Sequence, residues 1–313
     1  MKIKSQESIT FDRILTLLTL TVASAAFYGP RILILCGTAA AVSMLTELIS
    51  LYLRGISYSL RHLDAAASGL MLALMCPPTI PFSVLIIACI FAIIIGRQFF
   101  GGSENPIFPP AAVGYLFLRL SRIDNLLKFP KICGFLPIDC AQISLSSGTS
   151  EVWNQSGKIG GSLGDWLTCI SGTAIGSASF VMLATVGIVM ILRRSTAPTA
   201  ALTMIASVIL LNLAAVPPEM YVGTSIYCMM SNLTLFSAIY LIGNAELAPS
   251  SAVGGIFGLF AGIFTFYLTR VLHITDAPVL LAVLMQPLGM WLKKLWASAM
   301  KAAERMSKNA GNA

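Results

Sequence analysis

Apolar runs recur along the whole chain, at roughly 12–28, 31–53, 66–78, 81–97, 109–121, 170–192, 197–215, 222–242, 251–270 and 275–295, most of them near the length that crosses a bilayer. A helix needs about 20 such residues to span a hydrocarbon core about 30 Å thick. No water is available there to satisfy a free N–H or C=O, so these runs must close their hydrogen bonds internally. The pattern predicts an all-α polytopic membrane protein of about ten transmembrane helices. Charged residues make up 11% of the chain, under half of the about 25% typical of a soluble domain. Met1 to Thr10 is polar, and the first apolar run lacks a small-residue cleavage site, so no cleaved signal peptide is expected.

The third and fifth runs are short, broken by Pro77-Pro78 and by the Gly/Pro-rich Gly101 to Pro110. Between Ser121 and Cys169 lies the one long polar stretch, and long loops without their own secondary structure are usually functional or disordered. It divides the chain into a first five-helix half (1–121), an extramembrane loop (122–169), a second five-helix half (170–296) and a polar, basic tail (297–313). An odd number of spans per half places the halves in opposite orientation, the layout of two inverted five-helix repeats. Repeats of that kind carry interrupted helices at matching places. Ala65 to Pro81 and Ser231 to Ser251, with small and polar residues at mid-membrane, are the candidates.

A net charge of +7 raises nucleic acid as a partner, but sidedness explains it better. Lys2, Lys4, Arg13, Arg54, Arg61, Arg97, Arg193, Arg194, Lys293, Lys294, Lys301, Arg305 and Lys308 fall on one side of the ten-span layout. That side is expected to be cytoplasmic. Arg31, Arg270 and the 122–169 loop fall outside, and both termini inside, in a bacterial plasma (inner) membrane. The seven cysteines form no C-x-x-C pair, so a metal or iron–sulfur centre is not expected. Cys133 and Cys140 share the loop and could form a disulfide that their spacing does not require.

The densest local signature is Gly96-Arg97-Gln98-Phe99-Phe100-Gly101-Gly102-Ser103-Glu104-Asn105-Pro106-Ile107-Phe108-Pro109-Pro110-Ala111-Ala112-Val113-Gly114-Tyr115. It joins a helix end, a flexible Gly-Gly and a rigid proline-bearing entry into the next helix. Irregular backbone at membrane depth persists only where protein or a water-filled cavity satisfies it. The segment is therefore expected to line a cavity, with a plain turn as the alternative. Asp64, at the mouth of the short third span, is a functional candidate as an acidic group near that cavity, or else a helix cap. His62 and Glu219 are expected at the surface, and His273 with Asp276 in a structural turn.

Together with Asp64-Ala65-Ala66-Ala67-Ser68-Gly69-Leu70-Met71-Leu72-Ala73-Leu74-Met75-Cys76-Pro77-Pro78-Thr79, this segment resembles the RnfD/NqrB family. These are subunits of the Rnf electron-transport complex and of the sodium-translocating NADH:quinone oxidoreductase. Gly161-Ser162-Leu163-Gly164-Asp165, before the sixth span, is similar to a further family run. The resemblance covers nearly the whole chain and extends to the ten-helix layout with an outward loop.

The resemblance implies flavin mononucleotide (FMN) joined through its phosphate to a threonine hydroxyl in that loop by a flavin transferase. Ser146-Ser147-Gly148-Thr149 is most similar to the attachment motif, with Thr149 as acceptor. A one-residue shift makes Ser150 the acceptor, and Ser147 and Gly148 are its small neighbours. Riboflavin, as in relatives, is implied as a second flavin among the broken helices. Arg97 is a candidate to balance charge on a flavin, or else a membrane-interface anchor, and Asp64 matches the family's Asp. The motif's own Asp, however, falls at Ile143, and the nearest upstream carboxylate is Asp139. The family's Asn-Pro is Pro109-Pro110 here, and its Asp-Pro after the eighth span is replaced near Asn244 and Glu246. The implied function is a membrane subunit relaying electrons from ferredoxin toward NAD through flavin, coupled to Na⁺ or H⁺ movement, alongside the other subunits of such a complex. Two alternatives stand: a divergent structural subunit without covalent flavin, and a solute or ion channel.

Overall fold

The computed structural model describes residues 6–102, 107–121, 126, 128–130, 135–138, 140, 145–148, 150–151, 172–244 and 251–310. Ten helices run through them: α1 Gln6–Tyr28, α2 Arg31–Arg54, α3 Asp64–Met75, α4 Phe82–Ile94, α5 Pro110–Ser121, α6 Phe180–Leu192, α7 Pro198–Ala214, α8 Tyr221–Ile242, α9 Ser251–Arg270 and α10 Ala277–Ala310. Each falls on one of the ten predicted spans, although α6 starts at Phe180, well inside the predicted 170–192. Six spans among the described residues are long and apolar enough to cross a membrane, and the chain is a multi-pass membrane protein. Prolines punctuate them where a missing N–H costs little, with Pro81 before α4 and Pro110 and Pro198 opening α5 and α7. Pro77-Pro78 ends α3. α10 continues to Ala310, into the stretch expected as a separate tail, because its Ala, Lys, Glu and Met residues are strong helix formers.

α3 and α5 have 12 residues each, about 18 Å of helix at 1.5 Å per residue, too short for a bilayer core of about 30 Å. What completes the crossing of α3 is irregular backbone, and every residue from Ala67 to Pro78 is buried in protein. The same holds for α8, whose most apolar window is 83% buried against 33–50% in the other long spans. The third helix of each half is thus its central one. Neighbour relations also repeat. α2–α3, α2–α4, α3–α5 and α4–α5 in the first half recur as α7–α8, α7–α9, α8–α10 and α9–α10 in the second, as an internal repeat requires.

Burial from water does not drive helix association within lipid, so close packing through small residues carries the load. α7 and α9 show this best. A Cβ on Gly258 would lie 2.2 Å from both the Ala200 carbonyl oxygen and Thr203 Oγ1, and one on Gly262 would lie 1.7 Å from Ser207 Oγ. Gly258→Ala is expected to cost about 2 kcal/mol through overpacking, read as a lowered melting temperature in detergent. Gly255→Ala, whose Cβ meets nothing nearer than Thr203 Cγ2 at 3.8 Å, should hold or raise it.

Both predicted interruptions occur. α3 ends at Met75 and Cys76 turns extended. In α8, Asn232 and Leu233 both adopt left-handed backbone (φ 56° and 57°), a conformation costing roughly 1–2 kcal/mol per residue without glycine. A π-turn, Ser237–Ile242, follows. The turn Ile175–Ser177, which leads into α6, sits between the two breaks. Ile175 N–H donates to the Cys76 carbonyl at 3.1 Å, and Gly176 is wedged between Leu74 and Phe236.

Arg31 secures the α3 side. Its Nε and Nη2 donate to the carbonyls of Pro78 and Ile80 at 2.9 and 2.8 Å, Nη1 donates to the Ile138 carbonyl, and the guanidinium lies 5.0 Å from the Phe82 ring centroid. Hydrogen bonds to a charged donor are worth about 1.5–3 kcal/mol each. Arg31→Ala should therefore destabilise by at least about 3 kcal/mol and speed proteolysis of the loop. Arg31→Lys should restore little, because an ammonium cannot reproduce the planar fork.

The loop was expected to lack secondary structure, but it contains a short antiparallel pair. β1 (Lys128–Pro130) faces β2 (Leu145–Ser147), with Phe129 opposite Ser146. The Leu136 N–H donates to the Tyr28 carbonyl at 2.9 Å, tying the loop to the end of α1.

Candidate functional site

At the bundle end that carries the N-terminus, charged side chains from α1, α2 and α3 and from the segments that follow α4 and α6 meet, all but the exposed Arg193 below the surface. Arg13 of α1 donates to Asp64 Oδ1 at 2.5 Å and to Asn244 Oδ1, just beyond α8, at 2.9 Å. Arg97, following α4, donates to Asp64 Oδ2 at 3.1 Å, and its Nε lies 3.5 Å from Glu47 Oε1. Glu47, fully buried in α2, also contacts His62 Nδ1 at 3.0 Å and accepts from Gln98 Nε2 at 2.5 Å. Asp12, next to Arg13, accepts from Arg193 and from Ser195 Oγ in the turn between α6 and α7. Three carboxylates thus face three guanidiniums. Balance of this kind is what lets charge persist at depth, since an unpaired buried ion costs several kcal/mol.

The N-cap position of α3 is Leu63, and Asp64, the first residue of the helix, bridges Arg13 and Arg97 through its side chain. It is therefore the shared counter-ion rather than the cap. Arg97 is 4% exposed and ion-paired, which corrects the interface-anchor alternative. His62 is 7% exposed and bonded to Glu47, which corrects its expected surface position: the exposed loop before it turns inward one residue earlier. Glu219 is exposed, as expected. The two segments that carry the family resemblance, led by Asp64 and Arg97, converge on this network.

A cleft opens onto the network. Arg13, Arg61, Asp64, Ser68, Gly96, Arg97, Gly102, Pro109, Pro110, Tyr240 and Asn244 line it. Gly96 to Pro110 therefore does line a cavity, as its irregular backbone predicts. The enclosed part of the cleft is small, about 30 Å³. That holds a water or two and does not fit an isoalloxazine ring.

The loop's candidates lie at the other end. Thr149 is outside the described residues, as are Asp139, Ile143, Gly161 to Asp165 and Glu246. Ser147 ends β2. Gly148 is buried, and a Cβ there would lie 2.5 Å from Phe129 Cε2. Phe129 therefore leaves no room for a side chain at position 148. Ser150 is partly buried, and its Oγ accepts from the Asn232 N–H at the α8 break, at 2.7 Å. At the same end Arg119 holds Thr275 Oγ1 at 2.9 Å and Asp276 Oδ2 at 3.1 Å, joining α5 to α10. Burial pushes the Asp276 carboxyl up, and a hydrogen bond from Tyr115 and the Arg119 charge offset part of that. Asp276 is structural, as expected.

Sequence reasoning missed Asp12, Arg13 and Glu47 as site residues. Glu47 had an available signal, since an acidic residue inside an apolar run is a functional candidate by default.

Comparison with known proteins gives the family. The model of the NQR2, RnfD, RnfE family matches residues 2–290. Among curated relatives, the D subunit of the ion-translocating oxidoreductase complex of Tolumonas auensis is 36% identical over 37% of this chain and 35% of its own length. The protein of the same name from Pectobacterium atrosepticum is 35% identical over 42% and 36%, and that from Escherichia coli O7:K1 is 31% identical over 41% and 39%. The alignments therefore span well under half of the length of these relatives. The family match covers both motif segments, the loop and nine of the ten helices in full. This chain belongs to the NQR2, RnfD, RnfE family.

Proposed function

We propose that the chain is the membrane subunit of an Rnf-type ion-translocating oxidoreductase complex and carries FMN covalently on Thr149. The observation that carries this reading is the family match over residues 2–290, which takes in both motif segments and the loop between the halves. The relatives are named as components of an ion-translocating oxidoreductase complex, which supports the setting. The expected partners are the complex's other subunits and a flavin transferase, with ferredoxin and NAD as the ends of the electron path and Na⁺ or H⁺ as the ion. The loop then faces outward and the charged network faces the cytoplasm.

The loop residues fit a phosphate ester. Thr149 supplies the hydroxyl, Gly148 leaves room for Phe129, and the Ser150 hydroxyl is committed to Asn232, which favours Thr149 as acceptor. A bound flavin supplies one-electron chemistry, and the protein supplies position and charge. The cleft is too small for riboflavin as it stands, so no step is assigned to a second flavin there. Asp64, 18% exposed by side chain, is the carboxylate that a cation entering the cleft meets first, with Arg13 and Arg97 as its competitors.

Wild-type protein made alongside its transferase should show flavin fluorescence on a denaturing gel, and a dark band would sink covalent attachment. Ile143, standing where the motif has a carboxylate, favours the second reading, a structural subunit without flavin.

A further inference from the structure

The buried part of α8 touches both ends of this chemistry. At the break, the Asn232 N–H is held by Ser150 Oγ at 2.7 Å. At its far end, Asn244 accepts from Arg13 at 2.9 Å and Tyr240 lines the cleft. Every residue from Ser231 to Asn244 is buried, so this stretch cannot shift at one end without disturbing the other.

It also carries the marks of a segment with more than one packing. Two consecutive left-handed residues interrupt the helix at Asn232 and Leu233. The π-turn that follows holds an extra residue, a feature frequent at functional sites. Ser237 Oγ and Gln286 Oε1 are buried without a hydrogen bond among the described residues, although Gln286 Nε2 donates to the Leu241 carbonyl at 2.7 Å. Buried polar atoms are normally satisfied, so this packing leaves something for another to gain. A π-turn moved along the helix would change which carbonyls face Gln286 and would displace Asn244 from Arg13.

We propose that the buried half of α8 couples the outer loop to the charged cleft, with Ser150 as the positioning residue that holds the loop on the helix break. The coupling rests on the flavin reading only for what sets the state of the loop. Its mechanical part belongs to the polypeptide and is testable without flavin. Losing the Ser150 hydroxyl frees the Asn232 N–H, relaxes the break and weakens the grip of Asn244 on Arg13, so the cleft opens more often.

Thr10, 4% exposed and lining the cleft, provides the probe. In purified, flavin-free protein in detergent, a Thr10→Cys variant should react with a maleimide reagent about fivefold faster when Ser150→Ala is added, the shift that one lost hydrogen bond gives an opening equilibrium. Ser150→Thr should restore the slow rate. Cys89, fully buried in α4, is the internal reporter of general loosening and should keep its rate. Unchanged labelling at position 10, or an equal rise at Cys89, overturns the proposal. If Ser150→Ala does not fold, Asn244→Ala tests the same coupling from the cleft, because coupling is reciprocal. The Asn232 amide should then exchange hydrogen faster, and unchanged exchange overturns the proposal. These outcomes are independent of gel fluorescence, so coupling and flavin attachment can fail separately.

Discussion

Asp64→Ala is expected to lower stability by about 3 kcal/mol or more, the usual consequence of removing one partner from a buried ion pair. Arg13 and Arg97, each with a side chain only 3% exposed, both lean on this carboxylate. Without it, two guanidiniums face each other at depth. Arg97 keeps Glu47 at 3.5 Å and Arg13 keeps Asn244 at 2.9 Å, which limits the loss. Asp64→Asn should fall between, since one oxygen remains to accept. Removing Asp64 and Arg13 together should recover part of the loss, because the cost lies in the uncompensated charge. A double-mutant cycle on melting in detergent measures the coupling directly. A loss below about 1 kcal/mol for Asp64→Ala would mean that the pair behaves as a solvent-screened surface pair.

The helices were legible because lipid leaves a chain few choices. Long apolar runs must be helical, and prolines and Gly-Gly pairs mark where they stop. Both helix interruptions were legible for the same reason, since Pro77-Pro78 and the small polar residues after Ser231 cannot continue an ordinary apolar span. The charged network was not. Arg13 and Arg97 lie near helix ends, where a basic residue ordinarily marks the membrane interface, and only the tertiary fold turns them inward onto Asp64. Asp12 sits beside Arg13 in sequence but pairs with the α6–α7 turn, 181 residues away for Arg193. No local pattern encodes such a pairing. In the loop, Thr149 was the better match to the attachment motif and Ser150 its alternative by a one-residue shift. The bond from Asn232 distinguishes Ser150, and it depends on a helix break 82 positions later.

Thr149→Ala is expected to abolish covalent flavin completely while leaving the fold intact. A phosphate ester needs a hydroxyl oxygen, and alanine has none. Ser150→Ala should keep the flavin, because the Ser150 hydroxyl serves the α8 break. If Ser150→Ala is the variant that loses the flavin, with Thr149→Ala unaffected, the acceptor is Ser150 and the motif runs one residue later. The membrane fold should be indifferent to Thr149→Ala, so a wild-type yield and melting temperature in that variant would separate a lost attachment site from lost structure; Ser150→Ala gives up the one bond to Asn232.

Mass spectrometry of the loop peptide spanning Leu145 to Glu151, from wild-type protein made with an active flavin transferase, decides between a flavin-carrying subunit and a retained frame. The expected result is a peptide heavier by one esterified FMN, with fragmentation placing the added mass on Thr149. An unmodified peptide, from cells in which the same transferase modifies another substrate, would contradict flavin attachment and leave the structural-subunit reading in its place.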